Sequence, residues 1–251
     1  MTERRPNAHY SYTMYADPHM ARTFDERRFG GPIGDLVQRA QARVLANMVG
    51  RIQDRRILDV GTGTGRVALL LAHGAAKVTA VDASEEMLAI ARRRAADGLV
   101  KVKFQIGDAH HLDFPDRDFD AVVAFRLLMH TPQWKRCLAE MCRVSDRLVI
   151  IDYPSATSFA LLESMARRLA QTIGLRTEAY RVFTRGTIAA ALGQNGYRIR
   201  SVHRQFVLPI AFHRIFGSRR FTLWSERVLD RIGLLKPFGS PVTLVAERCV
   251  P

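Results

Sequence analysis

The sequence predicts a single α/β domain whose mostly parallel sheet is covered by helices on both faces. Three observations lead there. The chain has 251 residues, 47% of them hydrophobic, which is enough for one large buried core. Short β-branched runs alternate with amphipathic segments between residues 56 and 153, the rhythm of strands and crossover helices. A glycine-rich turn, Asp59-Val60-Gly61-Thr62-Gly63-Thr64-Gly65, joins the first such run directly to a helical segment.

In chain order, residues 1–31 place Tyr10, Tyr12, Tyr15, Phe24 and Phe29 among polar neighbours and end in Gly30-Gly31-Pro32. This extension reads either as a lid that closes over a bound cofactor, with Tyr15 as a contact for the second substrate, or as a segment packed on the domain. Residues 33–52 carry apolar side chains at helical spacing. Strands follow at 56–60, 77–81, 102–106, 119–125 and 147–153. Helices fall at 67–73, at 84–96 with Ser84 as N-cap, and at 132–144, opened by Pro132. Beyond Pro154 two further helices, 158–173 and 184–194, lead to strand-like segments at 197–208 and 241–248, with Asn195-Gly196 stopping the second helix. Between the last two strands lies an insertion, about 209–239, rich in Phe, Leu and Arg. The organisation is one domain over 1–251: an extension at 1–31, a binding core at 32–153 and an acceptor side at 154–251.

Several classes are excluded or disfavoured. No stretch reaches the ~18 unbroken apolar residues of a membrane span. The polar N-terminus carries no legible secretory signal, so a cytoplasmic location is expected. Cys137, Cys142 and Cys249 follow no metal or disulfide spacing, and no metal site is expected. Net charge is +14, concentrated in residues 151–251, which hold 15 basic and 6 acidic side chains. Only five of the 38 cations are lysines. Such an Arg-rich surface suits phosphates or acidic lipid headgroups. Codon usage in a G+C-rich genome gives the same skew without a function.

The chemistry centres on the glycine turn, where the backbone can approach a ligand that a Cβ would exclude. A dinucleotide fingerprint needs its third glycine at position 66, which is Arg66, and Asp59 in the same turn repels a pyrophosphate but suits an ammonium group. Asp82 closes the next strand, where a carboxylate can accept hydrogen bonds from both hydroxyls of a ribose. Gly107-Asp108-Ala109 follows the third strand and offers a carboxylate and N–H groups to a purine edge, with Met87 available to its face.

Together with Phe119-Asp120, these motifs resemble the class I S-adenosylmethionine-dependent methyltransferases over residues 55–153. The resemblance implies a Rossmann-like, doubly wound sheet of seven strands with an antiparallel last strand, 197–208 and 241–248 forming the final pair. It implies S-adenosylmethionine as cofactor, leaving as S-adenosylhomocysteine. Asp59, Gly61, Thr62, Gly63 and Gly65 would hold the methionine end, Asp82 and Ala83 the ribose, and Met87, Asp108 and Ala109 the adenine. Phe125 and Arg126 would complete the cofactor site. Phe114 to Asp120 and Leu128-Met129-His130-Thr131-Pro132 are similar to the small-molecule branch that includes quinone-biosynthesis and methyltransferase type 11 enzymes. Residues 144–147 depart from that branch, whose members usually place a Gly-Gly turn there. The motifs of DNA-base methylation are missing, so a small-molecule acceptor is expected and DNA is not.

A hydroxyl acceptor needs a base, and His130 is the candidate, one turn past the fourth strand. A packing or capping role for His130 stands beside that reading. The greasy, Arg-flanked insertion points to a lipophilic or anionic acceptor, with Phe212, Phe216 and Trp224, together with Tyr153, as contacts. Peripheral contact with the inner membrane face fits the same residues, and so does a core helix or dimer contact, in a monomer or homodimer. Three functions remain in play: methylation of a prenylated phenol, quinone, isoprenoid or polyketide on oxygen or carbon; RNA methylation by the basic surface; and cofactor binding without turnover.

Overall fold

The computed structural model describes residues 30–49, 52–172 and 180–249, together with Met20 and Thr23. The N-terminal aromatics Tyr10, Tyr12, Tyr15, Phe24 and Phe29 fall outside them. The elements run α1 (Gly31–Val49), β1 (Arg56–Val60), α2 (Arg66–His73), β2 (Lys77–Asp82), α3 (Glu85–Asp97), β3 (Val102–Ile106), β4 (Phe119–Ala124), α4 (Trp134–Val144) and β5 (Ser145–Tyr153). Then come α5 (Ala160–Thr172), α6 (Arg185–Gly193), β6 (Tyr197–Phe206), α7 (Ile210–Phe216), α8 (Arg219–Arg231), α9 (Leu235–Phe238) and β7 (Ser240–Arg248).

The seven strands form one sheet in the order β3-β2-β1-β4-β5-β7-β6. Strands β1 to β5 are mutually parallel, and β7 runs antiparallel between β5 and β6, which leaves β6 parallel to the rest. The expected doubly wound sheet with an antiparallel last strand is what the chain forms. Strand order reverses between β1 and β4, and a crevice opens at the carboxyl ends of the strands at such a point.

Residue alternation along β1 shows why both faces need cover. Ile57 joins Leu45, Val67, Ala68 and Leu71 under α1 and α2, whereas Leu58 and Val60 join Leu138, Met141, Ile188 and Leu192 under α4 and α6. Val122 and Val123 of β4 split the same way. Each such side chain, fully buried, contributes about 1.5–3 kcal/mol. At the start of α3 the Ser84 hydroxyl accepts from the Met87 N–H at 3.1 Å, with Glu85 and Glu86 at the positive end of the helix dipole.

The structure corrects several boundaries. Strand β5 begins at Ser145 rather than Arg147, so α4 passes straight into it at residues 144–147, the stretch that departs from the Gly-Gly turn of the branch it resembles. The Ser145 hydroxyl donates to the Leu148 carbonyl at 2.8 Å, and the Tyr197 hydroxyl donates to the Ser145 carbonyl at 2.8 Å, which fixes that junction. Helix α4 starts after Gln133 rather than at Pro132. Strand β6 stops at Phe206 rather than Leu208, because the N–H groups of Val207 and Leu208 donate to the Glu226 carboxylate at 2.7 and 2.9 Å.

That carboxylate also meets the Nε2 of buried His213 at 2.8 Å, so Glu226 ties α8 to α7 and to the end of β6. Replacing Glu226 with alanine leaves three donors in poor surroundings and should lower unfolding stability by about 3 kcal/mol in urea titration. A loss under about 0.5 kcal/mol would mean that water replaces the carboxylate without strain.

Candidate active site

A cleft at the carboxyl ends of β1, β2 and β4 encloses about 160 Å³. Its floor is the glycine turn between β1 and α2. The N–H groups of Gly61 and Thr62 donate to the Val81 carbonyl at 2.8 and 3.1 Å, and the Gly63 N–H donates to the Asp82 carboxylate at 2.7 Å. The turn is therefore pinned to β2 along its length. Gly63 has φ +55° and open space where a Cβ would stand, so its surface faces the cleft. Gly65, with φ +82°, serves packing instead, since a Cβ there would lie 2.8 Å from that of Ala91 in α3.

Two carboxylates end adjacent strands. Asp59 is buried, and the Thr62 hydroxyl donates to it at 2.7 Å. Burial pushes its pKa up to about 7, against the Thr62 hydrogen bond and the Arg66 charge, with the Asp82 charge reinforcing the rise. Asp82 accepts N–H groups from Gly63 and, at 3.0 Å, from Ser84. Burial raises its pKa as well, opposed by those backbone bonds. A carboxylate has about four lone-pair sites, so Asp82 keeps capacity for further donors from the cleft.

On the β4 side, Arg126 adopts φ +59°, a left-handed backbone that a side chain resists, and its N–H donates to buried Asp152 at the end of β5. Burial raises the Asp152 pKa, countered first by that N–H and then by the Arg126 charge. His130 follows in the same loop, buried, with its N–H donating to the Leu127 carbonyl at 3.0 Å. Arg181 braces this loop, its N–H donating to the Met129 carbonyl at 3.1 Å and its guanidinium to the Thr131 carbonyl at 2.9 Å.

Of the residues singled out in the sequence, the cleft brings together Asp59, Gly61, Thr62, Gly63, Asp82, Ala83, Met87, Ala109, Phe125, Arg126 and His130. Gly65 and Asp108 do not line it. The Asp108 carboxylate turns instead to His110, accepting its N–H at 2.9 Å and its ring Nδ1 at 2.7 Å. It is His110 that faces the cleft. Sequence reasoning missed His110, Arg66, Ser84 and Leu127, although each directly adjoins a motif it had marked. Tyr153 is buried against Phe183 at 6.0 Å, away from the lining. Phe212, Phe216 and Trp224 lie outside the cleft on the surface of the insertion, and Tyr15 lies outside the described residues.

A smaller cavity of about 60 Å³ lies between α1 and α2 and shares Arg66, Val67 and Phe125 with the cleft. Buried Gln41 lines it, and its Oε1 has no hydrogen-bond partner among the described residues. Among those residues no three His, Cys, Asp or Glu side chains are grouped to hold a metal ion, and no helix is long and apolar enough to cross a membrane.

Comparison with known proteins agrees with this geometry. The methyltransferase domain family matches residues 57–147. The chain is similar to a phosphatidylethanolamine N-methyltransferase of Cereibacter sphaeroides, 38% identical over 130 residues, covering 49% of this chain and 64% of that protein. It is also similar to a demethylmenaquinone methyltransferase of Thermus thermophilus, 41% identical over 105 residues, covering 40% of this chain and 48% of that protein. The chain thus spans roughly half to two thirds of the length of such relatives. In fold it is similar to magnesium protoporphyrin IX methyltransferase from Synechocystis, with a TM-score of 0.66 and 20% identity over 94% of this chain and 99% of that one. A glycine turn and paired aspartates set on a sheet of this order thus lie in the stretch, residues 57–147, that matches the methyltransferase domain family.

Proposed function

We propose that the cleft binds S-adenosylmethionine and that the chain transfers its methyl group to a small lipophilic acceptor, on oxygen or carbon. The observation that carries this reading is the placement of Asp59 and Asp82 at the ends of adjacent strands around one glycine turn. A ligand with an ammonium at one end and a ribose diol further along meets a carboxylate at each point. Buried Met87 and the backbone at Gly107 and Ala109 line the β3 side, where an adenine would sit. When bound, the cofactor supplies a sulfonium methyl, whose bond to sulfur breaks as the bond to the acceptor atom forms.

The chain's own contribution is alignment, exclusion of water and handling of a proton. Strand order supports one direction for the ligand: with its adenine toward β3 and its methionine end over β1, the acceptor would lie over β4, where Arg126 and His130 stand. Two relatives carry lipophilic acceptors in their names, which supports the acceptor class.

The test is incubation with isotope-labelled S-adenosylmethionine and either lipid or aqueous extract, followed by mass spectrometry. Label in a lipid-soluble small molecule is expected. Label in RNA, or none with either extract, would overturn the acceptor assignment. Separately, Asp82→Ala should weaken cofactor binding about tenfold to a hundredfold, the scale of hydrogen bonds to a charged group. Calorimetry that finds unchanged affinity in the folded variant would remove Asp82 from the site.

A further inference from the structure

We infer that the α7–α8 insertion is a docking surface for an anionic lipid bilayer. Its helices are arranged the opposite way to a core helix pair. The residues turned inward are polar: His213, Thr222 and Ser225 are buried, and His213 bonds both Thr222 and Glu226. The residues turned outward are large and apolar, with Ile215 82%, Ile232 65% and Trp224 61% exposed. An amphipathic helix normally buries its apolar stripe, and the described residues leave this one uncovered.

The stripe is continuous. Ring centroids step from Phe212 to Phe216 at 4.8 Å, from Phe216 to Phe221 at 4.7 Å and from Phe221 to Trp224 at 6.2 Å. Val228 and Ile232 prolong it at helical spacing. The same segment carries Arg214, Arg219, Arg220, Arg227, Arg231 and Lys236, all exposed. Acidic side chains offset only part of this charge: Asp35 of α1 pairs with Arg219 at 3.9 Å, and of the two acids in residues 209–239 Glu226 is engaged by His213 and the end of β6, which leaves Asp230.

Charge selects the occupant. A second copy of the insertion would bring one basic rim against another and be repelled. An anionic bilayer neutralises the rim while the Phe and Trp side chains enter the headgroup boundary. Position agrees with this, because β6 is parallel to β1 and β4, so the insertion leaves the sheet at the edge where the cleft opens. Helix α5, which follows β5 at that edge, exposes Leu162, Met165 and Leu169 as a second apolar stripe.

The test is flotation of the full chain with vesicles of phosphatidylcholine alone or mixed with phosphatidylglycerol. Binding to the mixed vesicles only, weakened by salt and accompanied by a blue shift of tryptophan emission, is expected. The double variant Ile215→Asp/Ile232→Asp should lower partitioning at least about tenfold, and so should Arg220→Glu/Arg227→Glu, the latter also flattening the salt dependence. All these side chains are exposed, so melting temperatures and cofactor affinity should match the parent chain. Failure to bind mixed vesicles, equal binding to both vesicle types, or variants that bind like the parent would overturn the proposal. So would a concentration-dependent dimer that the isoleucine variant lacks, in a chain that ignores vesicles.

Discussion

Affinity for S-adenosylmethionine should fall about tenfold for each unit that the pH drops below 7, reaching about a hundredfold at pH 5. The cause is Asp59, whose pKa burial pushes up to about 7 from an ordinary value of 3.8. Because the folded value is the higher one, the folded chain holds this proton between pH 4 and 7 where the unfolded chain has released it. Asp59 thus contributes stability that is fully present below about pH 4 and lost as the pH rises through 7. Binding an ammonium group runs the other way, since only the ionised carboxylate attracts it, so below pH 7 each binding event must release a proton. Calorimetry in buffers of different ionisation enthalpy measures that release directly. Asp59→Asn should bind weakly at every pH with no proton released. A flat affinity between pH 5 and 8 in the parent chain would detach Asp59 from the cofactor's charged end.

Much of the cleft lining was legible because its geometry is carried by backbone and strand ends. The glycine turn, Asp82 and the Ser84 cap sit at positions that the alternation of strand and helix fixes once the strands are found. The direction of a single side chain is a different matter. Asp108 was expected at a purine edge, yet a bond to the ring only two residues on turns its carboxylate to His110. Spacing cannot show such a rotation. The insertion was harder still, because periodicity identified an amphipathic helix but not which stripe faces the protein. Glu226 decides that by binding the N–H groups that end β6, which turns Thr222 and Ser225 inward and leaves Trp224 in solvent. No local pattern announces a glutamate that acts on backbone eighteen or nineteen residues before it.

His130→Ala should lower turnover at saturating acceptor by at least about a hundredfold while leaving cofactor affinity nearly unchanged, provided the acceptor is a hydroxyl. Two histidines line the cleft, after different strands of the sheet. His110 follows β3, on the proposed adenine side, and is held through Nδ1 by Asp108. His130 follows β4, across β1 from Asp82, in the loop that Arg181 braces and Arg126 enters under backbone strain. Of these two, His130 is the one on the proposed acceptor side. The control is therefore His110→Ala, which should weaken cofactor binding and spare turnover at saturation. The pH–rate profile of His130→Ala should also lose its ascending limb, because the group that must be deprotonated is gone. A purely packing histidine would instead lower the melting temperature and reduce activity in proportion. If the deficit of His130→Ala disappears at a temperature where the variant is fully folded, catalysis rests on alignment alone and the acceptor needs no base.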